Sequence, residues 1–198
     1  MKSYFFSVFA LAIIFCFFSC NSDYNVGRKR GYFKIDFPKK AYKQFDQPGY
    51  PYSFEYPVYA NIVKDTAFFE DRPENPWWIN IDFPQFNGRV HISYKEIGKN
   101  NFDSLVKDAF QMSFKQHTYK ATDIQDSLMK TPNGIEGIYF TLRGNTATAN
   151  QFFLTDSTKH FLRGALYFAA TPNQDSISIV NDFLKQDLLH LINTLKWK

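Results

Sequence analysis

The sequence predicts an α+β fold in which an antiparallel sheet carries a helix on each face, an α/β/α sandwich. Three observations predict it. Several short segments alternate apolar and polar residues and are separated by turn residues, which is typical of antiparallel strands. Two longer segments, one mid-chain and one near the end, repeat apolar residues at three- and four-residue steps, which is typical of amphipathic helices. Aromatic residues make up 19% of the 198 residues, enough large side chains for a dense core between these layers.

The first residues have the pattern of an export signal, which we place at 1–19. Lys2 supplies a positive start, and residues 4–18 are almost wholly apolar. About 15 apolar residues are too few for a membrane span, which needs roughly 20. Ser19-Cys20 resembles the end of a bacterial lipobox, in which the cysteine is lipidated and becomes the new first residue. We therefore predict lipidation at Cys20, and the alternative is an uncleaved N-terminal membrane anchor.

Residues 20–31 are predicted to be the lipidated cysteine and a flexible linker, and residues 32–198 a single globular domain. The net charge of +4 is too small to indicate nucleic-acid binding. Basic residues nevertheless crowd the segment after Cys20: Arg28, Lys29, Arg30, Lys34, Lys39, Lys40 and Lys43. Beside a membrane each adds on the order of 1 kcal/mol of attraction to anionic headgroups. The alternative is a solvated tether.

The first half of the domain is predicted to begin with an extended arm. Prolines between 38 and 57 exclude a helix interior there, and a strand is expected near 52–63. Residues 72–76 form a loop. The segments 77–83 and 89–95 both alternate in polarity and are predicted to pair as a hairpin.

Two helices are predicted, near 101–118 and 177–196, because one face of each segment is apolar. Short polar residues before a helix cap its free N–H groups; the candidates are Asn100 or Asn101 for the first and Ser176 or Ser178 for the second.

Four further strands are predicted between the helices, at 121–130, 134–144, 149–156 and 160–170. Their connections are short, so successive strands should be antiparallel neighbours. A strand covered on both faces has few polar positions, and the segment 160–170 fits that description better than 89–95 does.

The sequence offers no catalytic constellation. The histidines are without metal-ligand spacing and are expected to be surface or packing residues: His91, His117, His160 and His190. Asp156, Ser157 and His160 are close in sequence, but they are typical of a turn, since triads gather distant segments. We predict no catalytic residue, no metal site and no cofactor.

Trp77-Trp78 is the most suggestive candidate for binding. Consecutive strand residues point to opposite faces, so one indole is expected to enter the core and the other to face the second side. An uncovered Trp there would anchor a partner. The alternative is that both rings belong to the core.

Several segments closely resemble the gliding motility lipoprotein GldD family of the Bacteroidetes. They are residues 30–38 (RGYFKIDFP), 52–59 (YSFEYPVY), 78–81 (WINI), 91–95 (HISYK), 144–168 (GNTATANQFFLTDSTKHFLRGALYF) and 195–198 (LKWK). The resemblance implies a role in surface gliding, associated with type 9 secretion, and it carries over no catalytic residue. The order of elements also resembles the Mog1/PsbP-like fold, although fold does not determine function.

The leading hypothesis is a non-enzymatic lipoprotein that docks onto gliding or secretion proteins while its lipid holds it to a membrane. Trp77, Trp78 and the loop 69–76 are predicted to belong to the docking face. In these bacteria a run of acidic residues directly after the lipidated cysteine resembles a signal for export to the cell surface. No such run follows Cys20, which favours a domain that faces the periplasm. One alternative is a periplasmic small-molecule or glycan binding module with a pocket lined by Tyr or Trp. Another is an assembly factor for envelope proteins.

Overall fold

The computed structural model describes residues 34–65 and 73–198. Residues 36–198 form one compact unit, which contains every helix and strand described. In chain order these are β1 (Tyr42–Phe45), β2 (Tyr52–Pro57), β3 (Asn61–Lys64), β4 (Ile79–Phe83), β5 (Gly88–Glu96), α1 (Phe102–Ser113), β6 (Ala121–Lys130), β7 (Glu136–Gly144), β8 (Asn150–Thr155), β9 (His160–Phe168), α2 (Gln174–Thr194) and β10 (Lys196–Trp197). A short 3-10 helix, Pro84–Phe86, lies between β4 and β5. No helix in the described part of the chain is long and apolar enough to cross a membrane.

The larger sheet has seven antiparallel strands in the order β3-β4-β5-β9-β8-β7-β6. The chain runs through β3, β4 and β5 as neighbours and then passes through α1 to the opposite edge, where β6 begins. Strands β6 to β9 return as neighbours until β9 pairs with β5 along its whole length. The predicted hairpin and the predicted antiparallel series of four strands are therefore confirmed.

A helix covers each face of this sheet, which confirms the predicted α+β sandwich. On one face Leu105 and Ala109 of α1 pack against residues of β7, β8 and β9: Phe140, Leu142, Phe153 and Phe161. The other face is covered by α2 and by a small sheet of order β1-β2-β10. Its core joins apolar residues of α2 and both sheets, including Phe54, Tyr52, Phe152, Leu154, Leu162, Leu166, Leu184, Leu188 and Ile192.

The central and flanking strands differ as predicted. In β9 most residues are buried, whereas β5 alternates buried and more exposed residues. Strand β9 lies in the middle of the sheet and most of it is covered on both faces, with Arg163 and Tyr167 only partly buried. Polar positions therefore concentrate on β5.

Both helices begin at an asparagine cap. Asn101 Oδ1 accepts from the Ser104 N–H at 3.0 Å, as one of the two candidates predicted. Asn173 Oδ1 accepts from the Ser176 N–H at 3.3 Å, so the prediction of a serine cap for α2 was wrong. Helix α1 also ends earlier than predicted, at Ser113, and turns follow it.

Three strand predictions need correction. The single strand predicted near 52–63 is two strands, because a turn after Pro57, closed by the Ala60 N–H on the Pro57 carbonyl at 3.0 Å, separates β2 from β3. Strand β4 begins at Ile79 rather than at Trp77. Strands β1 and β10, of four and two residues, were not predicted. The arm is therefore only partly irregular, since β1 pairs with β2.

Candidate functional site

Several predicted functional positions lie outside the described residues. These are the export signal 1–19, Cys20 with the linker 20–31, and residues 69–72 of the predicted docking loop. Lipidation at Cys20 stays a prediction. The remaining part of the loop, residues 73–76, is described together with both tryptophans.

Trp77 lies in a turn and is half-buried against the core of the α2 face. Asn75 Oδ1 accepts from its backbone N–H at 3.1 Å. Its indole Nε1 donates to the Gly49 carbonyl at 2.7 Å, and its carbonyl accepts from the Tyr52 hydroxyl. The ring meets Tyr94 edge-on at 5.5 Å. Trp77 therefore joins the 49–52 segment to β5, so much of its surface serves packing.

Trp78 is also half-buried, and its indole Nε1 donates to the Tyr94 carbonyl at 2.8 Å. The Asn75 side-chain amide donates to the same carbonyl at 2.7 Å. Neither tryptophan lies in a strand, so the argument from alternating strand faces does not apply to them. Part of each ring remains at the surface, and their role in docking stays a prediction.

A polar cluster that was not predicted from the sequence fastens the arm to α2. Asp187 is 2% exposed and accepts hydrogen bonds from three side chains: Lys40 Nζ at 2.8 Å, the Tyr42 hydroxyl at 3.0 Å and the Tyr59 hydroxyl at 2.5 Å. The Lys40 ammonium also lies 3.3 Å from the centre of the Phe183 ring and donates to the Phe183 carbonyl at 2.9 Å. We call these five residues the Asp187 cluster.

Burial determines the protonation of this cluster. Desolvation, reinforced by the Asp187 carboxylate, raises the pKa of Tyr42 to about 12. Desolvation and the hydrogen bond to Asp187 raise the pKa of Tyr59 further. Desolvation lowers the pKa of Lys40, while Asp187 opposes that shift. Both hydroxyls therefore stay protonated and donate to the carboxylate at neutral pH. The cluster thus holds the segment that leads out of the predicted linker against the last helix.

A second aromatic pair extends this attachment. The Tyr42 and His190 rings stack with centroids 3.5 Å apart, and His190 Nε2 lies 2.7 Å from Glu55 Oε2. His190 therefore packs at the surface between β1, β2 and α2.

His160 is buried, at 4% exposure. Its Nδ1 lies 2.6 Å from the Tyr94 hydroxyl oxygen, and its ring stacks on Trp197 with centroids 4.9 Å apart. Desolvation lowers the pKa of His160, and the Asp156 carboxylate, 4.0 Å away, opposes that shift. His160 and Trp197 together join β9 to the small sheet.

The predicted turn at residues 156–160 is confirmed. Asp156 Oδ1 accepts from the backbone N–H groups of Thr158, Lys159 and His160 at 3.0, 2.8 and 2.8 Å. These bonds lower the pKa of Asp156 in spite of its partial burial. Asp156 therefore stabilises the turn that connects β8 to β9. Among the described residues, no three His, Cys, Asp or Glu side chains come together as a metal site.

A cleft of 260 Å³ lies between the N-terminal end of α2 and the ends of β7, β8 and β9. Asn150, at its base, accepts from the Tyr139 hydroxyl and donates to Asn181 Oδ1, both at 2.7 Å. Phe168 is the aromatic residue in its lining. The Tyr- or Trp-lined pocket that the glycan alternative predicts is not found in this cleft.

Comparison with known proteins finds a matching family and solved structures with a similar fold. The family model described as "Gliding motility lipoprotein GldD" matches residues 22–197. No curated protein matches the chain. The fold is similar to the solution structure of cyanobacterial PsbP (CyanoP) from Synechocystis sp. PCC 6803, with a TM-score of 0.44 and 11% identity, over 81% of this chain and 95% of that chain.

Proposed function

Because the chain belongs to the gliding motility lipoprotein GldD family, we propose that it serves gliding as a non-enzymatic docking module of the gliding and type 9 secretion machinery. The observation that carries this proposal is the family match, which extends over residues 22–197. In the proposed mechanism a lipid on Cys20 holds the domain at a membrane surface facing the periplasm. Confinement raises the concentration of the domain near membrane partners without any new contact.

The Asp187 cluster supports this mechanism. A lipid on Cys20 tethers the domain in any case, but an arm fixed to the domain shortens the free chain between lipid and domain and so limits the reach of the domain. Lys40 lies about 20 residues after Cys20 and is bonded to a carboxylate of the last helix, so the arm is held where it reaches the domain. The linker 20–31 then sets the reach of the domain from the membrane.

The proposed docking face contains Trp77, Trp78 and residues 73–76. Glu74 is exposed, yet its carboxylate is held by Lys95 Nζ at 3.2 Å and by the Asn100 amide at 2.8 Å. Desolvation of Glu74 is outweighed by these two partners, which lower its pKa. The described part of the loop is thus ordered beside Trp78, and a partner docking there loses little loop entropy.

Replacing Cys20 by Ser tests the tether. We expect the Cys20→Ser protein to fold, to leave the membrane fraction and to abolish gliding. Cys16→Ser is the matched control, since it removes the other cysteine of the N-terminal segment and should leave gliding and membrane association unchanged. Mass spectrometry of the purified protein should find acyl groups on Cys20. Normal gliding by cells whose Cys20→Ser protein is entirely in the soluble fraction would contradict tethering.

Photo-crosslinking in living cells tests the docking face. A photoreactive residue in place of Glu74 should join the protein to a defined partner of the gliding or secretion machinery. Trp78→Ala should weaken that product strongly, because an anchoring aromatic side chain carries 2 kcal/mol or more at a hot spot, on the order of a 30-fold change in affinity. Tyr119→Ala is the control, since Tyr119 is 78% exposed and lies outside this face. An unchanged product in the Trp78→Ala cells would exclude this surface.

A further inference from the structure

The face of the large sheet that α1 covers continues beyond the helix as a row of polar residues. Asn80 pairs with His91, His91 with Ala165, and Ala165 with Gln151. Directly opposed residues share a face of a sheet. Gln151 also pairs with Phe140, a core partner of α1, so the whole row lies on the α1 face.

Arg163 lies in the middle of this row. It precedes Ala165 by two positions in β9 and therefore shares its face. Its guanidinium donates to Gln151 Oε1 at 2.5 Å. Tyr167, two positions after Ala165, also interacts electrostatically with Arg163 and opposes the lowering of its pKa. Ser113, at the end of α1, donates to the same Gln151 oxygen at 3.2 Å. Two donors on Oε1 determine the orientation of the amide, so Gln151 Nε2 points away from them as a donor.

The charge of Arg163 is not balanced by a carboxylate among residues 34–65 and 73–198, where no Asp or Glu forms an ion pair with it. Desolvation lowers the pKa of Arg163. Burial lowers the pKa of His117, and the charge of Arg163 adds to that shift. Burial and then Arg89 lower the pKa of His91, with a smaller contribution from Arg163, while Asp65 and Asp82 oppose the shift. A desolvated cation without a counter-charge is costly for a fold unless something else requires it.

Three buried polar atoms, in the polar row or in the turn that follows α1, also have no hydrogen-bond partner in the described part of the chain. They are Gln151 Nε2, Asn80 Oδ1 and His117 Nε2, in residues that are 1%, 6% and 7% exposed. Each such atom costs about 1–3 kcal/mol, and buried polar atoms are rarely left unpaired in native proteins. Two of them belong to the same sheet face and the third to the turn after α1, and we infer that a polar ligand completes them.

A second cleft, of 500 Å³, lies beside this polar row, and Asp82, Arg89, His91 and Tyr167 of the same sheet face line it. Arg163 and Gln151 are not in its lining, and Tyr167, which interacts electrostatically with Arg163, connects them to it. Arg89 and Asp82 lie at its rim and pair with each other at 2.5 Å, so they neutralise one another. Arg163 itself is half-buried and keeps part of its surface open to solvent.

We propose that Arg163, Gln151 and Tyr167 form a binding site for the carboxylate of a small molecule or peptide end that enters through this cleft. A guanidinium presents two parallel N–H groups that match a carboxylate. One negative charge balances the charge of Arg163, which no Asp or Glu of the described ranges pairs with, whereas a phosphate dianion would leave an excess beside Asp82. Polar atoms beyond the carboxylate would meet Asn80 and His117. This site is separate from the tether and from the Trp77-Trp78 face.

The test measures thermal unfolding of the full-length lipoprotein in detergent, followed by tryptophan fluorescence. The probes are N-acetylalanine, which has a carboxylate, and N-acetylalaninamide, which does not. At ten times its Kd, N-acetylalanine should raise the Tm by about 3–6 °C, while the amide should not. Equal shifts with both probes, or no shift with either, would overturn the proposal. A larger shift with inorganic phosphate would overturn the carboxylate assignment.

Arg163→Met separates a ligand site from a structural arginine. If Arg163 serves a ligand, the variant should no longer respond to N-acetylalanine, and its Tm without ligand should equal or exceed that of the parent, because an unpaired buried charge has been removed. Arg89→Met, at the paired guanidinium of the same cleft, should keep the response. If Arg163→Met fails to fold, Arg163→Lys keeps the charge but loses the two-pronged geometry and should bind N-acetylalanine at least tenfold more weakly. An unchanged response in Arg163→Lys, or a large loss of Tm in Arg163→Met with an intact response, would refute the site.

Discussion

Replacing Lys40 by Met should loosen the arm by leaving Asp187 buried without its cation. Removing one partner of a buried ion pair costs about 3–5 kcal/mol. Two features reduce that figure here: Tyr42 and Tyr59 still donate to the carboxylate, and the Lys40 side chain is 24% exposed in the native state. We therefore expect a loss of about 2–3 kcal/mol in the free energy of unfolding. For a domain of this size that lowers the Tm by about 5–10 °C.

Urea unfolding, followed by tryptophan fluorescence, measures this loss, and a double-mutant cycle assigns it. The cycle combines Lys40→Met with Asp187→Leu, and the coupling energy should be at least about 1.5 kcal/mol. Lys43→Met is the matched control. Lys43 Nζ lies 3.5 Å from the Val58 carbonyl at the surface, so its loss should stay within about 0.5 kcal/mol. A coupling energy near zero, or equal losses for the two lysines, would refute the view that Asp187 holds the arm.

Two further predictions concern the interior. Desolvation lowers the pKa of His91, His117 and His160 below the usual 6.5. Below about pH 6.5 the unfolded chain therefore binds more protons than the folded one, and the free energy of unfolding should fall as the pH drops. Urea unfolding at pH 7.5 and 5.5 measures this fall, which should be smaller in His117→Gln. A Cβ on Gly164 would lie 2.3 Å from the Phe152 ring, so Gly164→Ala should cost about 1–3 kcal/mol; Phe152→Leu in the same chain should recover part of that loss, and purely additive losses would contradict the overlap.

Local pattern was sufficient for most elements of the second half of the domain. The strands at 121–130 and 160–170 and the apolar stripe of α2 were predictable because each repeats over many residues. Strands β1 and β10 could not be predicted, because four and two residues are too few to show an alternation of polar and apolar residues. Both strands form by pairing with β2. The order of strands in the sheet could not be predicted either. Helix α1 takes the chain from β5 to the opposite edge of the sheet, so the neighbour of β5 is β9 and not the next strand in sequence.

The polar sites were missed for a related reason. Asp187 and Arg163 are single charged residues in otherwise apolar patterns, one within the stripe of α2 and one within β9. A charge at a buried position is the signal in both cases, but its partner is remote in sequence. Lys40 is nearly 150 residues from Asp187, and only the tertiary structure brings them together. Trp77 and Trp78 were conspicuous, but the turn that contains them was not recognisable.

The join between β5 and β9 has a consequence for how the protein is made. It connects two locally wound halves whose paired residues are about 70 positions apart. Contacts between residues so distant in sequence form slowly, so we expect this pairing to form after each half has its own hydrogen bonds. During synthesis the edge of β5 that pairs with β9 stays unpaired until β9 leaves the ribosome, about 70 residues later. Hydrogen exchange on the native protein should therefore show the two halves separating along this line before either one melts.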